Sequence, residues 1–185
     1  MRPVEGDHQA VRPGWAEYGY CGSHSRYFWG LRLHLLCTLH GLPAGFAVTG
    51  AKADERHALL NILADPDLAA LLPGQIIIGD KNYYGRDFEA ALTGTGPACC
   101  ARPARANPTG PAPRFFKPLR QIIESVNVAF KGQLDLERHG GHTPPESLAR
   151  ILQRILALTA VIWHNDKTGQ RSSAHCWHTT SHRLP

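Results

Sequence analysis

Apolar and polar side chains alternate between Leu31 and Leu35, where three leucines are separated by an arginine and a histidine. This period of two is typical of a half-buried β-strand, and we predict a strand over residues 27–39. A short break that contains glycine and proline separates it from a second apolar run at 44–49. Because so short a connection favours a hairpin, the two strands are expected to be antiparallel. Residues 1–18 show no such period and are predicted to form an irregular lead-in.

The remaining apolar runs alternate between the spacing of helices and that of strands. Apolar side chains recur at helical spacing near residues 58–63, whereas the isoleucine run at 76–78 is short and continuous, as in a buried strand. This alternation predicts a mixed α/β fold. In chain order, the predicted elements after the hairpin are helices at 54–63 and 67–72, a strand at 75–78, a helix at 87–92, a strand at 98–101 and helices from Pro118 and Pro144.

The last predicted helix has the clearest start. Thr143 is followed by two prolines and Glu146, which matches an N-cap, a proline in the first turn and a capping-box partner. The predicted buried stripe of this helix comprises Leu148, Ile151, Leu152, Ile155, Leu156, Thr159 and Ile162. Several prolines and arginines make residues 101–114 an expected exposed connection. One domain is therefore predicted over residues 19–165, followed by a disordered tail at 166–185.

Composition limits the classes of protein to which the chain can belong. The 185 residues are 43% hydrophobic, which is enough for one core. Lysine and arginine number 20 against 15 aspartates and glutamates, and the net charge of +5 favours a polyanionic partner. Five cysteines without a regular framework favour a reducing cytoplasm over secretion. No apolar run approaches the length of roughly 18 residues that a membrane span needs, so none is predicted.

Two carboxylates are the candidate metal ligands. Asp80 follows the apolar run at 76–78, where the chain turns, and Glu124 lies on a predicted helix between Arg120 and Lys131. Each has an ordinary structural alternative: a turn aspartate that caps nearby amides, and a surface Arg–Glu pair worth about 0.3–0.5 kcal/mol. A strand-end aspartate combined with a helix-borne glutamate is also the arrangement that oxygen-seeking Mg²⁺ needs beside phosphates. We therefore predict a metal-dependent nuclease site.

Several motifs resemble those of the DDE transposases of bacterial insertion sequences, whose catalytic domain is RNase H-like. The motifs are Tyr-Gly-Tyr-Cys at 18–21, Phe-Trp-Gly-Leu-Arg-Leu-His at 28–34, Thr-Gly-Ala-Lys-Ala-Asp-Glu-Arg at 49–56, Gly-Asp-Lys-Asn-Tyr at 79–83 and Arg-x3-Glu-x6-Lys at 120–131. The resemblance runs from Trp15 to Gln170. It implies an α/β fold with an RNase H-like mixed sheet flanked by helices.

The resemblance also implies roles for individual residues. Asp80 matches the second catalytic aspartate and Glu124 the catalytic glutamate, and both would be ligands of a site for two Mg²⁺ or Mn²⁺ ions. The residues expected to contact DNA are Lys81, Arg114, Lys117, Arg120 and Lys131. Lys117 stands where many relatives have tyrosine.

The implied reaction is an attack of water on a phosphodiester, followed by an attack of the freed 3′-hydroxyl on target DNA. No covalent enzyme intermediate is formed. The implied partners are the transposon ends and the target DNA, with association between copies of the chain as a further expectation. The implied location is the bacterial cytoplasm, at the nucleoid.

The amino-terminal part departs from the family pattern. The first catalytic aspartate of the family ends an initial strand, whereas neither Glu5 nor Asp7 lies at the end of an apolar run. We therefore expect an amino-terminally truncated domain that lacks the first central strand and has little or no activity alone. The strands beside the missing one are expected to have unpaired backbone groups and to leave a gap in the sheet.

Two non-catalytic alternatives remain. A DNA-binding or transposase-binding fragment would use the same basic residues without cutting, and its affinity for DNA would fall with salt. A zinc-binding nucleic-acid module is suggested by loosely spaced ligands, although strand alternation puts His34 and Cys37 on opposite faces. The other ligands of that hypothesis are Cys21, His24, His40, His175, Cys176 and His178. The aromatic residues Tyr27, Phe28 and Trp29 are predicted to pack in the core rather than to stack on bases.

Overall fold

The computed structural model describes residues 16–21, 25–71, 73–79, 82–83, 85–94, 99–101 and 112–170. The mixture of strands and helices in these residues confirms the predicted α/β class. The strands are β1 (Glu17–Cys21), β2 (Arg26–Cys37), β3 (Pro43–Gly50), β4 (Ile76–Ile78) and β5 (Cys99–Ala101). The helices are α1 (Glu55–Leu63), α2 (Pro66–Leu71), α3 (Arg86–Gly94), α4 (Ala112–Val128) and α5 (Pro144–Lys167). A π-helical turn (Ala129–Gln133) follows α4, and a 3-10 turn (Leu136–Arg138) leads towards α5.

Strand β2 is the centre of a three-stranded antiparallel sheet in the order β1-β2-β3. Its first part, up to Gly30, pairs with β1, and the rest pairs with β3. The predicted hairpin of β2 and β3 is thus confirmed. The hydrophobic pattern does not predict β1, a five-residue strand interrupted by Gly19. An added Cβ at Gly19 would lie 2.6 Å from the ring of Phe28, so the glycine leaves room for that ring to cross β1.

Strands β4 and β5 form a two-stranded parallel sheet, with Ile76 opposite Cys99 and Ile78 opposite Ala101. Among the strands that the structure describes, none joins this pair to the antiparallel sheet. The arrangement is compatible with an RNase H-like fold. The expected gap at a missing central strand stays a prediction.

Two hydrophobic clusters cover the two faces of β2. Leu36 packs against a cluster formed by α1, α2, α3 and β4, in which Leu63 and Ile77 are buried. Leu33 and Leu35 project from the other face, because side chains alternate along a strand. They pack against a second cluster, formed by α4, the π-helical turn and α5. Helices therefore lie on both sides of this strand, as in a layered α/β domain.

Helix α4 begins at Ala112 rather than at Pro118, so the connection predicted over residues 101–114 is wrong at its carboxyl end. Pro118 lies inside the helix, where it has no amide to donate to the carbonyl of Arg114. Apolar residues recur at helical spacing before and after this proline in the sequence, which explains why one lost hydrogen bond does not end the helix. The π-helical turn is closed by the Leu134 amide, which donates to the carbonyl of Ala129 at 2.9 Å.

Helix α5 begins with the predicted capping box. Thr143 Oγ1 accepts a hydrogen bond from the Glu146 amide at 3.4 Å, and Glu146 Oε2 accepts one from the Thr143 amide at 3.3 Å. The amides of His142 and Thr143 hold the pKa of Glu146 below its usual range. Within the described residues, no helix is long and apolar enough to cross a membrane.

The predicted buried stripe of α5 is wrong at Leu148, Leu152 and Leu156, which are exposed. The buried positions of the helix are Ser147, Ile151, Ile155, Leu158, Ile162 and Asn165. These positions recur in steps of three and four, so they form one narrow row along the helix. One neighbouring layer is enough to cover such a row. The prediction failed because it assumed a wider contact than this packing provides.

Candidate functional site

The turn after β4 is where the sequence predicts a catalytic carboxylate. Asp80 and Lys81 lie outside the described residues, whereas the chain on either side of them is defined. The side chain of Tyr83 lies so close to Gly79 that an added Cβ there would be 3.1 Å from it. Tyr83 also contacts the buried ring of Phe88 in α3, with centroids 6.3 Å apart. The two ends of the segment that contains Asp80 are therefore held together and attached to α3.

An open depression lies beside this turn. Its lining residues are Arg32, Asp54, Glu55, Arg56, Asn82 and Gly85. Asn82 and Gly85 belong to the turn, and the other four residues are charged. The sequence predicts no role for these four charges, although Arg32 belongs to the motif at 28–34 and the other three belong to the motif at 49–56. These motifs were the signals that could have identified them.

Asp54 is the N-cap of α1, and Arg56 is its main partner. Asp54 Oδ1 accepts hydrogen bonds from the Arg56 amide (2.8 Å) and Nε (3.0 Å), and Arg56 Nη2 donates to Oδ2. These hydrogen bonds hold the pKa of Asp54 well below its usual range, so the carboxylate is ionised at neutral pH. Gly85 has a φ of 134°, which favours glycine, and an added Cβ there would lie 3.6 Å from Arg56 Nη1. Arg56 therefore lies close to the chain that immediately precedes α3.

A second ion pair ties β2 to the same helix. Arg32 Nη1 donates to Glu55 Oε1 at 2.8 Å, and both side chains are partly exposed. Each carboxylate of the depression thus has an arginine partner.

The second candidate carboxylate, Glu124, lies on an exposed side of α4. Its Oε1 accepts a hydrogen bond from Arg120 Nε at 2.9 Å, and the two side chains are 58% and 83% exposed. Lys131 lies in the π-helical turn, and its Nζ is 3.1 Å from Glu137 Oε1. Arg114 and Lys117 belong to α4, but their side chains lie outside the described part of the molecule. The predicted Arg120–Glu124 pair is present, and both residues are accessible to a ligand.

The zinc hypothesis depends on ligands that the structure describes only in part. The Nε2 atom of the buried His34 is 2.8 Å from Thr49 Oγ1. Burial raises the pKa of the Cys37 thiol to about 12, which disfavours the thiolate that zinc requires. Within the described ranges, no group of three or more His, Cys, Asp or Glu residues could hold a metal ion. The side chain of Cys21 and the whole of His24, His175, Cys176 and His178 lie outside those ranges.

Replacing His34 with glutamine is expected to weaken the pH dependence of stability in mild acid. Burial lowers the pKa of His34 below its ordinary 6.5, and the nearby Arg32 acts in the same direction. The unfolded chain therefore binds a proton at His34 more readily than the folded chain does. As a result, the free energy of unfolding falls as the pH drops below 6.5 towards the folded-state pKa.

Urea unfolding at neutral and mildly acidic pH checks this prediction. The His34→Gln variant should lose less stability between the two conditions than the wild-type chain does. His40→Gln is the matched control, because His40 lies in an exposed turn and the substitution changes the composition in the same way. Equal losses in wild type and His34→Gln would show that His34 does not cause the acid sensitivity.

The segment that matches a known protein family includes the turn after β4. The family model described as the transposase DDE domain matches residues 3–109, which is more than half of the 185-residue chain and includes Asp80. Glu124 lies after the matched segment. No curated protein and no solved structure gives a significant match. The extent of the family match establishes that the chain belongs to the transposase DDE domain family.

Proposed function

We propose that the chain is the catalytic part of a DNA transposase, which cleaves DNA strands and transfers them with the help of divalent metal ions. The family match over residues 3–109 carries this proposal, because it includes the strand-end Asp80. The closeness of Gly79 and Tyr83 supports it, because these residues flank Asp80 in the sequence and lie between β4 and α3. Fixed placement of the ligands is what metal-assisted phosphoryl chemistry requires.

Asp80 and Glu124 are the proposed ligands of Mg²⁺ or Mn²⁺. Both are carboxylates, whose hard oxygen atoms suit these ions. Glu124 is more than half exposed, and the hydrogen bond from Arg120 reaches Oε1, so an ion can approach the group from solvent. When bound, the metal supplies activation of a water and stabilisation of the departing oxygen. The role of Arg120 is to hold the Glu124 side chain in place through this hydrogen bond.

The cations near the two carboxylates are the proposed DNA contacts. Arg120 is highly exposed and can bind a phosphate while it stays beside Glu124. Lys131 is about half exposed, in the turn that continues α4. Lys81, Arg114 and Lys117 are proposed for the same role from their positions in the sequence. Contacts of this kind give an affinity that falls steeply with salt and depends little on base sequence.

We further infer that the 185 residues cleave DNA slowly or not at all when they act alone. Only two carboxylates of the chain are assigned to the site, whereas the family uses three. Each missing ligand loosens the geometry in which the ions must be held for in-line displacement. A non-catalytic role in binding DNA or transposase is the alternative, and the basic residues above would serve it equally well. Metal binding at Asp80 and Glu124 would distinguish the catalytic role from the non-catalytic one.

The DNA affinity of an Arg120→Gln variant tests the proposed partner. If Arg120 contacts a phosphate, its loss should weaken binding to duplex DNA of any sequence and reduce the slope of log affinity against log salt by about one. Fluorescence anisotropy over a range of salt concentrations measures both quantities. Arg150→Gln is the matched control, because Arg150 is an exposed arginine on α5. Equal affinities for the two variants, or no salt-sensitive binding by wild type, would contradict the proposal.

A further inference from the structure

Four aromatic side chains lie uncovered on one face of the β1–β2 hairpin. Tyr18 is directly opposite Trp29, and Tyr20 is directly opposite Tyr27. The rings of each pair touch, with centroids 4.8 Å and 5.0 Å apart. All four residues are exposed, from 51% for Trp29 to 79% for Tyr27. The prediction that Tyr27 and Trp29 pack in the core is therefore wrong, and we call these four residues the aromatic face.

The aromatic face continues a surface that is buried further along β2. Tyr27 and Trp29 alternate in step with Leu31, Leu33 and Leu35, which pack under α4, the π-helical turn and α5. Within the described residues, the leucines of this face are packed, whereas Tyr27 and Trp29 stay more than half exposed. Cross-strand contacts between rings account for the pairing of the two strands, but they do not explain why large apolar surfaces stay in water. Exposed patches of this kind mark interaction sites.

A group of two cations and one carboxylate lies at the start of β2, in the hairpin that carries the aromatic face. Arg26, which precedes Tyr27, has its Nη2 atom 3.9 Å from Glu137 Oε2. Lys131 Nζ is 3.1 Å from the other oxygen of the same carboxylate. This group of two cations and one anion belongs to a chain with a net charge of +5. It brings a proposed phosphate contact, Lys131, next to the hairpin that carries the aromatic rings.

We propose that the aromatic face binds unpaired nucleotides of DNA, with the bases stacked on its rings. The inference rests on the proposed function, which supplies DNA as the partner. Aromatic rings stack on any base, and cations beside them follow the backbone. The paired rings are inclined at 66° and 55°, so they do not lie flat on each other and leave ring surface for bases. The net charge of +5 favours a polyanion over a second copy of this basic chain.

The affinity of a Trp29→Leu variant for single-stranded DNA tests this proposal. A short oligodeoxythymidylate and a duplex of equal length are the probes, and fluorescence anisotropy is the readout. The change should weaken binding of the single strand roughly tenfold, since one stacked base is lost, and should affect the duplex much less. Trp163→Leu is the matched control, because Trp163 is 60% exposed on α5. This substitution should leave the affinities for both the single strand and the duplex unchanged. Trp29→Phe, which keeps a ring, should retain most of the binding.

A cross-linking measurement on the wild-type chain decides the matter even if Trp29→Leu does not fold. Irradiation of the chain with an oligonucleotide that contains bromodeoxyuridine should join the base to residues 18–29, as located by mass spectrometry. Cross-links only to other segments would overturn the proposal. So would a dimer of the wild-type chain that Trp29→Leu separates while single-strand affinity is unchanged, because the face would then bind a second copy. If Trp29→Leu binds the single strand normally while Arg120→Gln weakens duplex binding, this inference fails and the proposed function stands.

Discussion

Replacing Asp80 with asparagine is expected to lower the affinity of the chain for Mn²⁺ by about 100-fold or more. Loss of a residue that merely supports a ligand already costs about 10–100-fold in metal affinity, and the loss of a ligand should cost at least as much. Glu124→Gln should have a similar effect, because both carboxylates are proposed to hold the same ions. The double variant should then be little worse than either single variant, since residues that act as a unit are not additive.

Titration of Mn²⁺ followed by electron paramagnetic resonance measures these affinities directly. Asp87→Asn is the matched control, because it removes the same charge from an exposed position in the first turn of α3. It should bind Mn²⁺ like wild type. Equal affinities for wild type and Asp80→Asn would mean that the turn after β4 is not a metal site, and the non-catalytic alternative would then be favoured.

Replacing Phe130 with alanine is expected to lower the free energy of unfolding by about 3–5 kcal/mol. Phe130 is 3% exposed and belongs to the cluster in which α4 and α5 meet the leucines of β2. The change leaves a cavity that the surrounding helices cannot fill completely. Because a domain is stable by only about 5–15 kcal/mol, a large part of the total would be lost.

Urea unfolding, followed by circular dichroism, measures this loss. Val128→Ala is the matched control, because Val128 lies two positions away and is 60% exposed. It should change the free energy of unfolding by no more than about 0.5 kcal/mol. If Phe130→Ala is as stable as Val128→Ala, Phe130 is not packed between the π-helical turn, α5 and the sheet, and this part of the fold is wrong.

Local patterns in the sequence were sufficient to predict much of the fold. The alternation around Leu33 predicts β2, because that strand has one leucine-bearing face under the helices. Thr143 and Glu146 predict the start of α5, because a capping box depends only on residues three apart. Both features are decided by neighbours along the chain, which the sequence contains in full.

Features that depend on distant neighbours were not predictable in the same way. Leu148 and Leu156 have the same apolar character as Ile151, and only the position of the next layer decides which of them is buried. Trp29 likewise follows the period of β2, yet it is exposed. The hydrophobic pattern identifies the face of an element that can be buried. Tertiary packing decides how much of that face is buried.

The same distinction between local and long-range features applies to the candidate site. The strand that precedes Asp80 follows from the sequence, as does the Arg120–Glu124 pair, which is one helical turn apart. The approach of Arg56 to Gly85 brings together segments that are distant in the chain. No spacing rule predicts such a contact. The meeting of Asp80 with Glu124 is of this second kind and stays a prediction.

Iron-directed cleavage of the polypeptide tests most directly whether Asp80 and Glu124 share a metal site. Fe²⁺ can replace Mg²⁺ at carboxylate sites, and with ascorbate and peroxide it produces radicals that cut the chain near the metal. We predict two sets of cuts, one around Asp80 and one around Glu124, both suppressed by excess Mg²⁺ and both absent in Asp80→Asn. Cuts near only one of the two residues, or at neither, would contradict a shared site and with it the proposed metal-dependent chemistry.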